Sequence, residues 1–120
     1  MPQDERRHFT RVTFDGPAFI KLPSTTIDAI VVDLSFKGAL VRTTSPGDIQ
    51  VGTPVQLNII LEMIGAIIMS GDVVHVHGTQ VGIVCRSIDL DSMIHLRRLI
   101  ELHLHEQHLL DREFRALVSG

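Results

Sequence analysis

The sequence predicts a mainly β domain, an antiparallel sandwich or small barrel, followed by one or two C-terminal helices. Three observations carry this. Short runs rich in Val, Ile and Thr recur between residues 12 and 88, separated by turns that hold Gly or Pro. No helical period intervenes between them. From residue 89 the apolar spacing changes from two to three and four, at Met93, Leu96, Leu99, Ile100 and Leu104.

The elements follow in order. Residues 1–11 carry Asp4, Glu5, Arg6, Arg7 and Arg11, with only Phe9 to anchor them to a core, so composition makes them an arm. Residues 12–22 read as a strand bent or bulged at Gly16-Pro17, since proline has no N–H for the ladder. After a turn at Pro23-Ser24, residues 26–35 form a long second strand and residues 38–44 a third. Ser45-Pro46-Gly47-Asp48 and Gly52-Thr53-Pro54 are loop signals. Residues 55–61, 67–77 and 80–87 complete six strands, with Gly65 near one turn and Gly78-Thr79 in another. Asp89, Asp91 and Ser92 are candidate N-caps for a helix. A second helical pattern runs through Leu109, Leu110, Phe114, Leu117 and Val118, and both stripes are expected to pack on the β unit. The expected organisation is therefore an arm at 1–11, strands at 12–88 and a helical extension at 89–120, all within one domain.

Composition excludes several classes of function. The 120 residues suffice for a core without disulfides or metal. No tryptophan or tyrosine is present and phenylalanine occurs five times, so the core is aliphatic and platforms for stacking single-stranded bases are scarce. A net charge of −3 gives no pull towards a nucleic-acid polymer. Arg6, Arg7 and Arg11 nevertheless put three guanidinium groups within six residues, which suits a small anion. Cys85 is the single cysteine, so no internal disulfide forms. No run approaches the ~18 apolar residues of a membrane span, and the arginine-rich start has no apolar signal core. The expected location is the cytoplasm.

Metal and catalytic chemistry find little support. His103, His105 and His108 cluster late in the chain and His75 and His77 alternate on one strand, but no cysteine or carboxylate pattern completes a ligand set. No H-E-x-x-H, G-x-S-x-G, P-loop or dinucleotide fingerprint occurs. Cys85 sits mid-strand, where a thiol behaves as a small hydrophobe with a raised pKa. The expectation is a protein that is no enzyme and carries no metal or cofactor.

Two stretches remain. Asp33-Leu34-Ser35-Phe36-Lys37-Gly38 joins two apolar runs, and the period of two points the Asp33 and Ser35 side chains to one face. Gly38 supplies a position with φ > 0 or a close approach. Arg7 and Arg11 are four apart, so they converge whether the arm is extended or helical. Arginine bonds bidentately to phosphate and to the O6/N7 edge of guanine. A carboxylate accepts from guanine N1 and N2, and a serine hydroxyl bonds to either partner type. A ligand with guanine bases and phosphates would satisfy every one of these groups.

In these residues the chain resembles the PilZ domains, bacterial receptors for cyclic di-GMP. Arg7-His8-Phe9-Thr10-Arg11 matches their R-x-x-x-R arm, and Asp33-Leu34-Ser35-Phe36-Lys37-Gly38 matches D/N-x-S-x-x-G, with 21 residues between. The resemblance implies a six-stranded antiparallel β-barrel with C-terminal helices, and an arm that wraps ligand against the barrel's outer surface. It implies Arg7 and Arg11 on guanine and phosphate, Asp33 and Ser35 on a guanine edge, and Gly38 keeping the turn open. Arg6 is implied to add a phosphate or stacking contact. His75 stands where close relatives carry a tryptophan platform, and His8 where they can carry a third arginine. The implied function is a cyclic di-GMP receptor that signals to a downstream protein through ordering of its arm. The alternative is a protein-interaction adaptor with the same fold and little nucleotide affinity.

Overall fold

The computed structural model describes residues 11–44, 46–47 and 49–119. Seven strands, β1 (Val12–Thr13), β2 (Pro17–Lys21), β3 (Thr26–Ser35), β4 (Gly38–Arg42), β5 (Pro54–Leu61), β6 (Gly65–His77) and β7 (Gln80–Ile88), precede one helix, α1 (Leu90–Ser119). Every pairing is antiparallel, in the order β3-β2-β5-β6-β7-β4, and β4 pairs back onto β3. The sheet therefore closes into a six-stranded barrel. β1 extends it by pairing with the far end of β3, Val12 opposite Leu34 and Thr13 opposite Asp33.

Residues 12–22, expected as one bent strand, are two. Pro17 opens β2 and cannot donate, while the Gly16 carbonyl leaves the strand path to accept from the Val31 amide at 2.9 Å. Ile20, Leu34, Leu57, Ile59, Ile67 and Met69 are fully buried inside the barrel. The core is thus aliphatic, as the shortage of aromatics required.

The two helical patterns form one helix, because no Gly or Pro interrupts residues 90–119. Asp89 is its cap: its Oδ2 accepts the Ser92 amide at 3.0 Å and its Oδ1 the Ser92 hydroxyl at 2.7 Å. These two bonds hold the Asp89 carboxyl below the ordinary carboxylate range. The same Ser92 oxygen accepts the Ile68 amide of β6 at 2.8 Å, fastening the helix start to the barrel. Leu96 and Ile100 are buried against it. Leu104, expected in the same stripe, is exposed, as is Leu117 at 82 %. The reason is length: 30 residues at 1.5 Å each outrun the barrel wall. No helix among the described residues is long and apolar enough to cross a membrane.

Candidate functional site

Two β-bulges build one face of the barrel. In β3, Val31 opposes Val41 but Asp33, not Val32, opposes Leu40. In β6, Val73 opposes Ile83 but His75, not Val74, opposes Gly82. An extra residue reverses the side-chain alternation, so each bulge turns outward a polar side chain that strict alternation would have aimed at the core. Leu40 in turn opposes Gly82 across β4 and β7. The outer wall therefore carries one continuous row, Asp33, Leu40, Gly82, His75, over four adjacent strands. Three interstrand spacings separate its ends, roughly 14 Å along the sheet.

Gly82 has no side chain, and the row is hollow at that point. A trough of about 540 Å³ follows, lined by Arg11, Ser35, Lys37, Gly38, Leu40, His75 and Gly82 among others. Arg11, Ser35, Gly38 and His75, distant in sequence, meet there. Asp33 joins at the mouth, where Arg11 Nη1 donates to its Oδ1 at 2.8 Å. Ser35 is buried and its Oγ accepts the Lys37 amide at 3.1 Å, which closes the turn and holds the hydroxyl under the trough. A Cβ at Gly38 would stand 2.0 Å from the Ile83 carbonyl oxygen. Glycine is required at 38 by the close approach of β7, and its φ is not in the left-handed region. Arg6 and Arg7 lie outside the described residues.

The chemistry of the trough is mixed. Arg11 and Lys37 bring positive charge, Asp33 a carboxylate that partly balances Arg11, and Leu40, Val74, Ile83 and Val84 apolar surface. The Arg11 side chain is 68 % exposed, so the ion pair is worth only about 0–1 kcal/mol and leaves both groups available to a ligand. His75 and His77 present their rings side by side, centroids 6.1 Å apart and planes within 21°. Among the described residues no group of three or more His, Cys, Asp or Glu is placed to hold a metal ion. Cys85 does not line the trough, although its amide donates to the Lys37 carbonyl at 2.7 Å; burial pushes its thiol up, and Sγ reaches the Ser87 carbonyl at 3.6 Å.

Sequence reasoning missed Leu40 and Gly82. An isolated glycine inside a strand run signals a bulge or close approach, and Gly82 between Val81 and Ile83 was that signal. A second, more open depression of about 610 Å³ lies beside Lys21, Asp72 and Arg86, and none of the motif residues lines it.

A family model described as PilZ domain matches residues 5–102. Solved structures share the fold at low identity. The PilZ domain of CeSA from a cellulose-synthesizing bacterium is 20 % identical, with 75 % of this chain and 93 % of that one covered and a TM-score of 0.62. The PilZ domain of YcgR from Escherichia coli, solved with c-di-GMP, is 17 % identical, covers 89 % and 98 %, and has a TM-score of 0.67. The Bacillus subtilis inhibitor of motility MotI/DgrA is 20 % identical with a TM-score of 0.71; 83 % of this chain covers 52 % of that protein. With the family model spanning most of the chain and the barrel closed as in these structures, the chain belongs to the PilZ domain family.

Proposed function

We propose that the protein is a cytoplasmic receptor that binds cyclic di-GMP in the trough without turning it over. The observation that carries this is the Arg11–Asp33 pair at the trough mouth, with Ser35 and Gly38 in its wall. A guanine edge offers acceptors at O6 and N7 to the guanidinium and donors at N1 and N2 to the carboxylate. Arg7, four residues before Arg11, and Arg6 then reach the ligand's phosphates from the arm. His75 closes the opposite end as a flat wall for a base. The binding of c-di-GMP by the YcgR domain of the same fold supports the choice of ligand.

Occupancy draws residues 6–11 onto the barrel, and the surface so formed or covered is what a downstream protein reads. Isothermal titration with cyclic di-GMP tests the binding. Each charge-assisted contact is worth roughly 1.5–3 kcal/mol, so Arg7→Ala or Arg11→Ala weakens binding by about 10- to 150-fold. Absence of saturable heat at high micromolar ligand refutes the assignment. Amide exchange across residues 6–11 tests the ordering step, and exchange unchanged by ligand rejects it alone.

The second reading, an interaction adaptor with little nucleotide affinity, draws on the helix. Leu102, Leu104 and Leu117 are exposed on it, more apolar surface than a solvated helix needs. The same titration separates the two.

A further inference from the structure

We propose that the second depression, beside Lys21, Asp72 and Arg86, is a further guanine-nucleotide site that uses no residue of the arm. Its polar groups repeat those of the trough. Arg86 Nη1 donates to Asp72 Oδ2 at 3.1 Å, and this pair is about as exposed as Arg11–Asp33. Ser70 stands two residues from Asp72 on β6, as Ser35 stands two from Asp33 on β3, so each serine shares a face with its aspartate. Each set also includes a glycine where β7 comes close. A Cβ at Gly71 would meet the Val84 carbonyl oxygen, as one at Gly38 would meet that of Ile83.

The strands set these groups at the spacing of a nucleotide. Lys21, Gln56, Ser70 and Ser87 stand in register across β2, β5, β6 and β7. Lys21 thus lies two interstrand spacings from Ser70, roughly 10 Å. In β7 Arg86 is the extra residue of a bulge, since Ser87 opposes Ser70 while Cys85 opposes Gly71, and both Arg86 and Ser87 line the depression. Guanine presents two donors, N1 and N2, to the Asp72 carboxylate and an acceptor, O6, to the Arg86 guanidinium. The two protein groups already sit side by side, as those two parts of one base edge require. The phosphate at the other end of the nucleotide then falls to the Lys21 ammonium. Lys21 and Arg86 against Asp72 alone leave the lining net positive, which suits a phosphate-bearing ligand. The ligand class is a guanine base with a ribose phosphate, whether a mononucleotide or one half of cyclic di-GMP.

Amide NMR titration of the full chain tests the site, with guanosine 5′-monophosphate and cyclic di-GMP as separate probes, in wild type and in Arg7→Ala/Arg11→Ala. Saturable shifts of the Gly71, Asp72, Arg86 and Ser87 amides are expected with guanosine 5′-monophosphate in both proteins. The same shifts with cyclic di-GMP in the arm variant show that one half of it suffices, and shifts with the first probe alone confine the site to mononucleotides. Asp72→Asn or Arg86→Ala weakens this binding about 10- to 150-fold. The ion pair is exposed, so its loss leaves the fold intact. Adenosine 5′-monophosphate, with one donor on its edge where guanine has two, binds roughly 5- to 150-fold more weakly. No saturable shift at these amides up to millimolar guanosine 5′-monophosphate overturns the proposal. Equal affinity for the adenosine nucleotide overturns it too, as does binding that survives both substitutions unchanged. The trough is read separately, through the Ser35 and Gly38 amides with cyclic di-GMP, so this site can fail while the receptor reading stands, and the reverse.

Discussion

Filling the trough floor at Gly82 separates a ligand site from a mere surface hollow. A Cβ there would stand 3.1 Å from the His75 Cβ, so the β6 backbone that carries this atom must give by a few tenths of an ångström. The φ of Gly82 is negative, so an L residue meets no backbone strain. Valine at this outward-facing strand position gains β-propensity and loses a little to crowding, leaving stability within about 1 kcal/mol of wild type. Its methyl groups, however, would occupy the floor on which the proposed ligand would lay a base between Leu40 and His75. Base stacking is worth about 1–3 kcal/mol. Gly82→Val is therefore expected to weaken cyclic di-GMP binding by roughly 5- to 150-fold at an almost unchanged melting temperature. Titration calorimetry and thermal unfolding on the same preparation read both quantities. A folded Gly82→Val protein that binds with wild-type affinity would show that the ligand does not lie on this floor.

Two other changes act on the frame around the trough. Gly38→Ala puts a methyl 2.0 Å from the Ile83 carbonyl oxygen, backbone against backbone, so β4 and β7 must part. The expected loss is about 1–3 kcal/mol, seen as a melting temperature lower by several degrees; a melting curve superimposable on wild type refutes the contact. The Ser92 hydroxyl and amide hold the Asp89 carboxyl below the ordinary carboxylate range, so its contribution to stability is present above that range and fades as pH falls through the folded-state value. Asp89→Asn keeps a capping oxygen but no titrating group, and its urea-unfolding stability should fall less steeply than wild type below about pH 4; identical acid slopes would dismiss the cap as the source.

Which parts of this architecture were legible beforehand follows from what each signal encodes. The strand runs, the turn residues and the Asp89 cap are local, and the barrel's elements follow from them with only the Gly16-Pro17 break underestimated. The fate of Leu104 was not local. Its spacing is that of Leu96 and Ile100, but burial depends on where the barrel wall ends, and periodicity does not record that length. The outer row was also hidden. Val31-Val32-Asp33 and Val73-Val74-His75 read as ordinary apolar runs that end in a polar residue, and which valine a bulge sets aside depends on the partner strand. Arg11, Asp33, Ser35 and Gly38 could be named from their chemistry, whereas Leu40 and Gly82 required the register.

The Arg11–Asp33 pair also bears on how the site can be both ready and releasable. Had it been buried, separating the two charges to admit a guanine would have left each uncompensated, at several kcal/mol. At 68 % exposure on the arginine side it is worth about 0–1 kcal/mol, little more than a tether that keeps both groups at the trough mouth. A guanine edge that engages both replaces that one weak pair with charge-assisted bonds of roughly 1.5–3 kcal/mol each. The exchange favours the ligand and spares the chain the ordering of Asp33, which β1 already fixes by pairing Thr13 opposite it.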